Sequence, residues 1–164
     1  MAWEYMAKLG YRYDIVKKRV NFSNLHVAEL CSGDTGLYEL VKNECSSYRA
    51  CDLRKIHPIV EQSTDAEFVK TLTQLDVLIC FGHGGYEITS EKLESSTLTE
   101  SIHYCIKKFN PKFVVLESIN DFSEIIYRIT NEYEYYTETF KHRGADWLTN
   151  RTLIIFKKTT VGYS

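Results

Sequence analysis

An acidic residue followed by a turn with two glycines stands early in the chain, in the stretch Glu29-Leu30-Cys31-Ser32-Gly33-Asp34-Thr35-Gly36. Glycine lets a backbone approach a ligand closely without a side-chain clash. Asp52 follows this turn at about the separation expected for an acid that binds ribose hydroxyls. The spacing therefore indicates a nucleoside site. Each acid also has a plainer interpretation, Glu29 as a buried acid bonded to the backbone and Asp52 as the cap of the next turn.

Polar residues also follow two apolar runs further along the chain. Phe81-Gly82-His83-Gly84-Gly85-Tyr86 follows the first run, and a histidine between glycines is not typical of a core. A neutral imidazole is a suitable general base near pH 7, so His83 is a candidate for proton removal; the alternative is a plain loop residue. The second run ends in further candidates for the same site, Glu117, Ser118 and Asn120, although Asn120-Asp121 also fits a helix cap.

The segments around these residues alternate between strand-like and helix-like patterns, which is typical of α/β proteins. Amphipathic patterning predicts a helix over about residues 3–20, and a second helix is predicted over 37–43. Before the C-terminal segments, five strands are predicted. The fourth and fifth of them are continuous apolar runs of the kind found in central parallel strands. The predicted strands cover residues 25–30, 48–51, 59–61, 77–81 and 113–116.

Capping-box spacing, in which Thr or Asp is followed three residues later by Glu, marks three more helix starts. The pairs are Thr64 with Glu67, Thr97 with Glu100, and Asp121 with Glu124. The helix that starts at Thr64 is predicted to reach Leu75. The helix from Thr97 is predicted to end before Pro111, and the helix from Asp121 at about Asn131. Residues 133–140 and 152–158 then have strand patterns without a helix-length connection, so we expect an antiparallel β-hairpin.

Composition and charge limit the classes of protein that fit. The 164 residues are 44% hydrophobic and 26% charged, which suits one packed, soluble domain. A net charge of −2 disfavours broad electrostatic binding to nucleic acid. A local basic patch stays open as an alternative, because the chain has three short basic clusters, Lys17-Lys18-Arg19, Lys107-Lys108 and Lys141-His142-Arg143.

Cysteine usage and the first residues predict a reducing, cytoplasmic compartment. The five cysteines include no Cys-x-x-Cys pair, so no zinc site is predicted. The first ten residues lack the apolar run of a signal peptide. No stretch is long and apolar enough to predict a membrane span.

The order of segments from about Asn24 to Lys158 resembles that of the class I S-adenosylmethionine-dependent methyltransferases, whose mostly parallel sheet ends in an antiparallel hairpin. Their first motif is an acid and a glycine-rich turn after strand 1, where this chain has Glu29 to Gly36. Their second is a ribose-binding acid that ends strand 2, where it has Asp52. The resemblance implies one Rossmann-like α/β domain, 1–164, with helices on both faces of the sheet. Its N-terminal helical segment is 1–23 and its cofactor-binding core 24–158.

The resemblance also implies roles for individual residues. Glu29 would face the ammonium group of the cofactor, Asp52 its ribose, and Phe81 its adenine or methionine part. His83 and Tyr86 would face the methyl acceptor as catalytic residues. The full implied cofactor set is Glu29, Cys31, Ser32, Gly33, Asp34, Gly36, Asp52, Leu53, Phe81 and Gly82.

The implied activity is methyl transfer from S-adenosylmethionine to an acceptor that the sequence does not name, either a macromolecule or a small molecule. In the turn, Cys31 stands where the family often has its first glycine, and Gly36 comes one position after the place of the last. The altered turn at Cys31, together with the short region between strands 2 and 3, motivates the alternative of a methyltransferase-like binding or scaffold protein without activity, which need not bind S-adenosylhomocysteine. The closing hairpin argues against a dinucleotide-binding protein. A partner protein or a second copy of the chain could complete the site.

Overall fold

The computed structural model describes residues 12–81, 91–118, 132–143 and 148–159, and for 91–97, 118, 140–143 and 148–151 it describes the backbone alone. The described helices are α1 (residues 12–19), α2 (Gly36–Val41), α3 (Asp65–Val69) and α4 (Glu91–Phe109). The described strands are β1 (His26–Leu30), β2 (Ser47–Asp52), β3 (Val60–Gln62), β4 (Val77–Cys80), β5 (Phe113–Ser118), β6 (Tyr133–Arg143) and β7 (Leu148–Lys158).

The seven strands form one sheet in the order β3-β2-β1-β4-β5-β7-β6. The first five strands in this order are parallel, and β7 pairs antiparallel with both β5 and β6. Val27 pairs with Val77 and Leu30 with Cys80, so β4 lies beside β1. The predicted fold class, a mostly parallel sheet closed by a C-terminal antiparallel hairpin, is confirmed. Strand order reverses between β1 and β4, and ligands of such sheets bind at the carboxyl ends of the strands next to this reversal.

Helices cover both faces of the sheet, as predicted. Successive side chains of a strand point to opposite faces, and in β1 Val27 packs in one core while Ala28 packs in the other. The core that contains Val27 also holds Val16 of α1 and Leu37 of α2. The core that contains Ala28 holds side chains of α3 and α4, among them Phe68, Val69 and Ile102. Each helix therefore buries one apolar side against the sheet, the main source of stability in such layers.

Two helix boundaries differ from the sequence prediction. The cap of α3 is confirmed, since Thr64 Oγ1 accepts a 3.2 Å hydrogen bond from the Glu67 amide. However, α3 ends at Val69 and not at Leu75. The Thr71 hydroxyl donates a 2.7 Å hydrogen bond to the Phe68 carbonyl and so competes with the helical ladder.

The predicted start of α4 at Thr97 is wrong, because the helix already begins at Glu91. Residues 91–94 are Glu, Lys, Leu and Glu, which have high helix propensity and extend the helix before the capping-box pair. Its end before Pro111 is confirmed. There Asn110 has a φ of 52°, and its amide bonds to the Ile106 carbonyl at 2.9 Å.

Several predicted features lie partly or wholly outside the described residues. These are the helix predicted from Asp121 to about Asn131, and the first part of the helix predicted over residues 3–20, of which 12–19 are helical. The hairpin strands are longer than predicted and reach Arg143 and Leu148. All five cysteines lie in described segments and are free thiols. Among the described helices, none has the length and apolar character of a membrane span.

Candidate functional site

The turn after β1 holds three residues in the left-handed region of backbone conformation. φ is 53° at Cys31, 57° at Gly33 and 54° at Thr35. Glycine adopts this conformation without strain, whereas Cys31 and the β-branched Thr35 each do so at a cost of about 1–2 kcal/mol. Strained residues that are not glycine cluster at binding and catalytic sites. This turn is therefore the first candidate for function in the described part of the chain.

The turn is fixed to the end of β2 by hydrogen bonds. The Gly33 amide donates to Asp52 Oδ2 at 2.9 Å, and the Arg54 amide donates to Asp52 Oδ1 at 3.0 Å. The Ser32 amide also donates to the Cys51 carbonyl at 3.0 Å. Asp52 thus caps the turn that follows it, as the alternative to a ribose-binding role predicted. At the same time it anchors the Gly33 turn. Its carboxylate keeps unused lone pairs on both oxygens.

The two glycines of the turn have different surroundings. A Cβ added at Gly33 would meet no atom of the described residues within 4 Å, so no described residue packs against the backbone at Gly33 on that side. A Cβ added at Gly36 would lie 2.6 Å from Tyr13 Oη and 2.7 Å from Tyr13 Cε2. Gly36 therefore has no Cβ because α1 packs against it. The residue of this part of the turn that has a left-handed backbone conformation is Thr35, one position before Gly36. This shift accounts for the late position of the last glycine in the sequence motif.

Glu29 is a buried acid in the central strand. Burial raises the pKa of Glu29 to about 8, against the lowering effects of the Tyr48 hydrogen bond and the Arg12 charge. The Tyr48 hydroxyl donates that bond to Glu29 Oε1 at 2.5 Å. The alternative to a ligand role predicted that Glu29 bonds to a backbone group. Its hydrogen-bond partner is instead the side-chain hydroxyl of Tyr48. Strongly perturbed pKa values concentrate at functional sites, because burial and neighbouring charges there tune titratable groups for binding or catalysis.

Thiols and one carboxylate lie beneath the turn. Cys31 Sγ is 3.7 Å from Asp65 Oδ2, and Cys51 Sγ is 3.6 Å from Asp65 Oδ1. A hydrogen bond to Cys80, together with burial, holds the pKa of Cys31 well above its usual range. Burial raises the pKa of Cys51 as well, so both thiols are protonated and can donate to Asp65. Across the described segments, no group of three or more His, Cys, Asp or Glu side chains is placed to hold a metal ion.

The N-terminal helix contributes two residues that sequence analysis missed. Arg12 Nη2 forms a 2.9 Å ion pair with Glu117 Oε1 at the end of β5, and both residues are buried. The Arg12 guanidinium lies 4.6 Å from the centre of the Phe81 ring, and the Tyr13 ring lies 5.8 Å from that centre. Helix α1 thus covers the sheet edge where β4 and β5 end. In the sequence nothing separates Arg12 from the other bases of an amphipathic segment, since its partner is more than a hundred residues away.

Most of the residues predicted for the cofactor site lie together at the carboxyl ends of β1 and β2. They are Glu29, Cys31, Ser32, Gly33, Asp34, Gly36, Asp52 and Leu53. Asp34 is exposed, and Leu53 is 64% exposed. Ser32 Oγ is buried and has no hydrogen-bond partner among the described residues. Phe81 follows β4 and is buried under α1, while Gly82, His83, Tyr86 and Asn120 lie outside the described residues.

Comparisons with known proteins identify the architecture. No model of a protein family matches the chain, and no curated protein sequence matches it. A structure of TrmK from M. capricolum, with the cofactor product S-adenosylhomocysteine, matches with a TM-score of 0.61 and 18% identity over 91% of this chain and 68% of that one. The N-methyltransferase NodS from Bradyrhizobium japonicum WM9 matches with a TM-score of 0.63 and 12% identity over 93% of this chain and 97% of that one.

A third match is the magnesium protoporphyrin IX methyltransferase ChlM from Synechocystis PCC 6803 with bound S-adenosylmethionine. Its TM-score is 0.62 at 12% identity, over 94% of this chain and 82% of that one. The chain has the class I methyltransferase fold. At these identities the likeness concerns the fold alone.

Proposed function

We propose that this chain binds S-adenosylmethionine over the Gly33 turn and transfers its methyl group to a nucleophile. The observation that carries the proposal is the turn itself. Two strained residues and one glycine are held in left-handed conformations, Asp52 anchors the glycine, and no described residue lies within 4 Å of a Cβ built on it. A turn that only ends a strand does not require left-handed Cys31 and Thr35, so the retained strain supports a ligand role.

The residues around the turn fit the parts of this cofactor. Asp52 has one lone pair left on each oxygen for the two ribose hydroxyls. The exposed Leu53 side chain offers apolar surface to the adenine. Glu29 supplies an acid for the ammonium group, and the proximity of that cation would favour its ionised form. Gly33 allows the backbone to approach the ligand closely.

When bound, the sulfonium of the cofactor supplies an already activated methyl group. The task of the chain is therefore to hold donor and acceptor in line and to exclude water. The packing of Arg12 and Tyr13 on Phe81 supports water exclusion at the ends of β4 and β5. His83 is the proposed base for an acceptor that carries a proton, and Tyr86 is proposed to line the acceptor side. Both remain sequence predictions.

Calorimetric titration with S-adenosylmethionine, S-adenosylhomocysteine and a nicotinamide dinucleotide tests the proposal. We expect the first two to bind at the same site and the dinucleotide not to bind. Failure of S-adenosylhomocysteine to bind would contradict the proposed function. Transfer of a labelled methyl group into nucleic acid, protein or small-molecule fractions would then establish activity.

One observation favours the non-catalytic alternative enough to keep it as a second candidate. The buried Arg12–Glu117 ion pair closes the end of β5, where a methyl acceptor would approach. A chain that binds S-adenosylhomocysteine but transfers no methyl group to any fraction would match this alternative. Recovery of transfer in the Glu117→Gln variant would instead indicate that the ion pair limits acceptor access.

A further inference from the structure

The terminal hairpin extends beyond the rest of the sheet. The last pairing between β5 and β7 joins Ser118 to Thr152, at the carboxyl end of β5. The pairing between β6 and β7 continues for four more rows, from Phe140 opposite Arg151 to Arg143 opposite Leu148. We call these rows, residues 140–143 and 148–151, the arm. At about 3.4 Å per residue, the arm is roughly 14 Å long.

The arm extends from the edge of the sheet that holds the candidate site. Strand β5 is parallel to β1, β2 and β4, so Ser118 lies at the same edge as the ends of those strands. Because β7 runs antiparallel to β5, its residues before Thr152 continue past that edge. In the described part of the chain no third strand pairs with the arm. A two-stranded ribbon of this kind is marginally stable alone and suits contact with a partner.

Acidic and basic residues face each other in the hairpin rows before the arm, and this pairing stops where the arm begins. Below it, Glu134 lies opposite Lys157, and Lys158 pairs with Glu132 at 3.1 Å. The arm itself contains three Lys or Arg residues and one histidine, namely Lys141, His142, Arg143 and Arg151, and the sequence of the connection 144–147 adds one acid, Asp146. Their cross-strand partners in the register are Asn150, Thr149, Leu148 and Phe140. The basic residues of the arm therefore have no acid opposite them.

We propose that the arm binds the phosphodiester backbone of a nucleic-acid methyl acceptor and presents a base to the site. The identification of this nucleic acid as the acceptor rests on the proposed function. A two-stranded β-ribbon fits a nucleic-acid groove, and Lys and Arg side chains neutralise phosphates there. The charge is local, so the net charge of −2 for the whole chain is compatible with it.

Fluorescence anisotropy with a labelled RNA hairpin, and with a DNA hairpin of the same sequence, tests the proposal. The arm variant is Lys141→Gln with Arg143→Gln and Arg151→Gln. The control variant is Lys107→Gln with Lys108→Gln and Lys112→Gln, which removes the same charge between α4 and the amino end of β5. Both variants and the native chain are measured over a series of salt concentrations and are titrated with S-adenosylhomocysteine by calorimetry.

We expect the native chain and the control variant to bind at least one of the two hairpins. The arm variant should bind at least tenfold more weakly, with a salt slope smaller by roughly 2–3. The hairpin that binds more tightly identifies RNA or DNA as the source of the phosphates. Equal losses in the arm and control variants, or binding to neither hairpin, would overturn the proposal. The native chain could bind a hairpin through the arm and yet not bind S-adenosylhomocysteine. That result would refute the proposed function and the role of the nucleic acid as methyl acceptor, but not the binding of phosphates by the arm.

Discussion

The Gly33 amide donates a 2.9 Å hydrogen bond to Asp52 Oδ2, and this bond joins the turn after β1 to the end of β2. The left-handed conformation of Gly33 places the turn beside β2, where its amide reaches the carboxylate. The carboxylate also accepts the Arg54 amide, so both of its oxygens are oriented before any ligand binds. A side chain fixed in this way loses little conformational entropy when it binds a ribose.

Asp52→Ala should weaken binding of S-adenosylhomocysteine by about 1–3 kcal/mol, because buried hydroxyls would be left without an acceptor. Calorimetry measures the affinity. Asp76→Ala is a matched control, since Asp76 Oδ2 accepts a 2.9 Å hydrogen bond from the His26 amide at the opposite edge of the sheet. The control should lose stability and keep its affinity. An affinity unchanged in Asp52→Ala would remove Asp52 from the ribose site.

Gly33→Val should abolish cofactor binding while the protein keeps a cooperative unfolding transition. The added Cβ meets no atom of the described residues, so we expect the fold to lose about 1–2 kcal/mol through left-handed strain. The same side chain would fill the space proposed for the cofactor. Melting temperature and affinity are measured on one sample. Lost stability with retained affinity would identify a structural turn and not a cofactor site.

Gly36→Ala is the contrasting variant. Its Cβ would lie within 2.9 Å of three Tyr13 atoms, so overpacking should cost about 1–3 kcal/mol. Tyr13→Ala is destabilising by itself, but the double variant should lose less stability than the sum of the two single losses, because the clash is then absent. If the two substitutions are strictly additive in urea unfolding, Tyr13 does not pack on Gly36 as the structure shows.

The sheet could be predicted from the sequence because the signals for its strands are local. Continuous apolar runs mark β4 and β5, and the lack of a helix-length connection marks the final hairpin. Helix ends were harder to predict. The early end of α3 depends on the Thr71 hydroxyl, which the pattern of apolar residues does not reveal. The candidate site at the ends of β1 and β2 was predicted from the glycine turn, the spacing to Asp52 and the family resemblance, and the parallel strands bring these residues to one edge of the sheet.

Tertiary contacts explain what the sequence did not reveal about the site. The missing Cβ of Gly36 makes room for Tyr13, which lies in a different helix, and the sequence does not reveal this contact; the cofactor role of Gly36 stays a prediction. The left-handed conformation of Thr35 has no sequence signal, because β-branched residues are rarely found there. The Arg12–Glu117 ion pair joins residues distant in the sequence, and burial gives the pair its importance.

The stability of the protein should fall as pH rises between about 4.5 and 8. In this window folded Glu29 keeps a proton that the unfolded chain has released, since burial raises its pKa to about 8. The unfolded state then binds fewer protons, so the free energy of unfolding decreases by up to about 1.4 kcal/mol per pH unit. Above pH 8 this contribution is constant. Urea unfolding at several pH values measures how the free energy of unfolding depends on pH. The Glu29→Gln variant should lack the part of this dependence that comes from Glu29.

Cofactor binding should release protons near pH 7. In the free protein Glu29 is mostly protonated at this pH, and the ammonium group of the cofactor would favour the carboxylate. The calorimetric binding enthalpy should therefore depend on the ionisation enthalpy of the buffer, with up to about one proton released per cofactor. Glu29→Gln should bind without this buffer dependence. A native chain with the same enthalpy in phosphate and Tris would show that Glu29 does not meet the ammonium group.

Arg12→Ala should cost about 3–5 kcal/mol of stability, because it leaves the Glu117 charge buried without its guanidinium partner. The substitution also removes the stacking of Arg12 on Phe81, so α1 should detach from the ends of β4 and β5 more readily. Faster hydrogen exchange in residues 12–19 would report this detachment.

The double variant Arg12→Met with Glu117→Gln separates charge from packing. Both replacements keep most of the side-chain volume and remove the buried charges, so the double variant should be more stable than Arg12→Ala. Urea unfolding of the native chain, Arg12→Met, Glu117→Gln and the double variant gives the coupling energy. Single losses that add to within about 0.5 kcal/mol in the double variant would show that the two residues do not act as a pair. In that case the contacts of Tyr13 with Phe81 and with the Gly36 turn would be what holds α1 over the site.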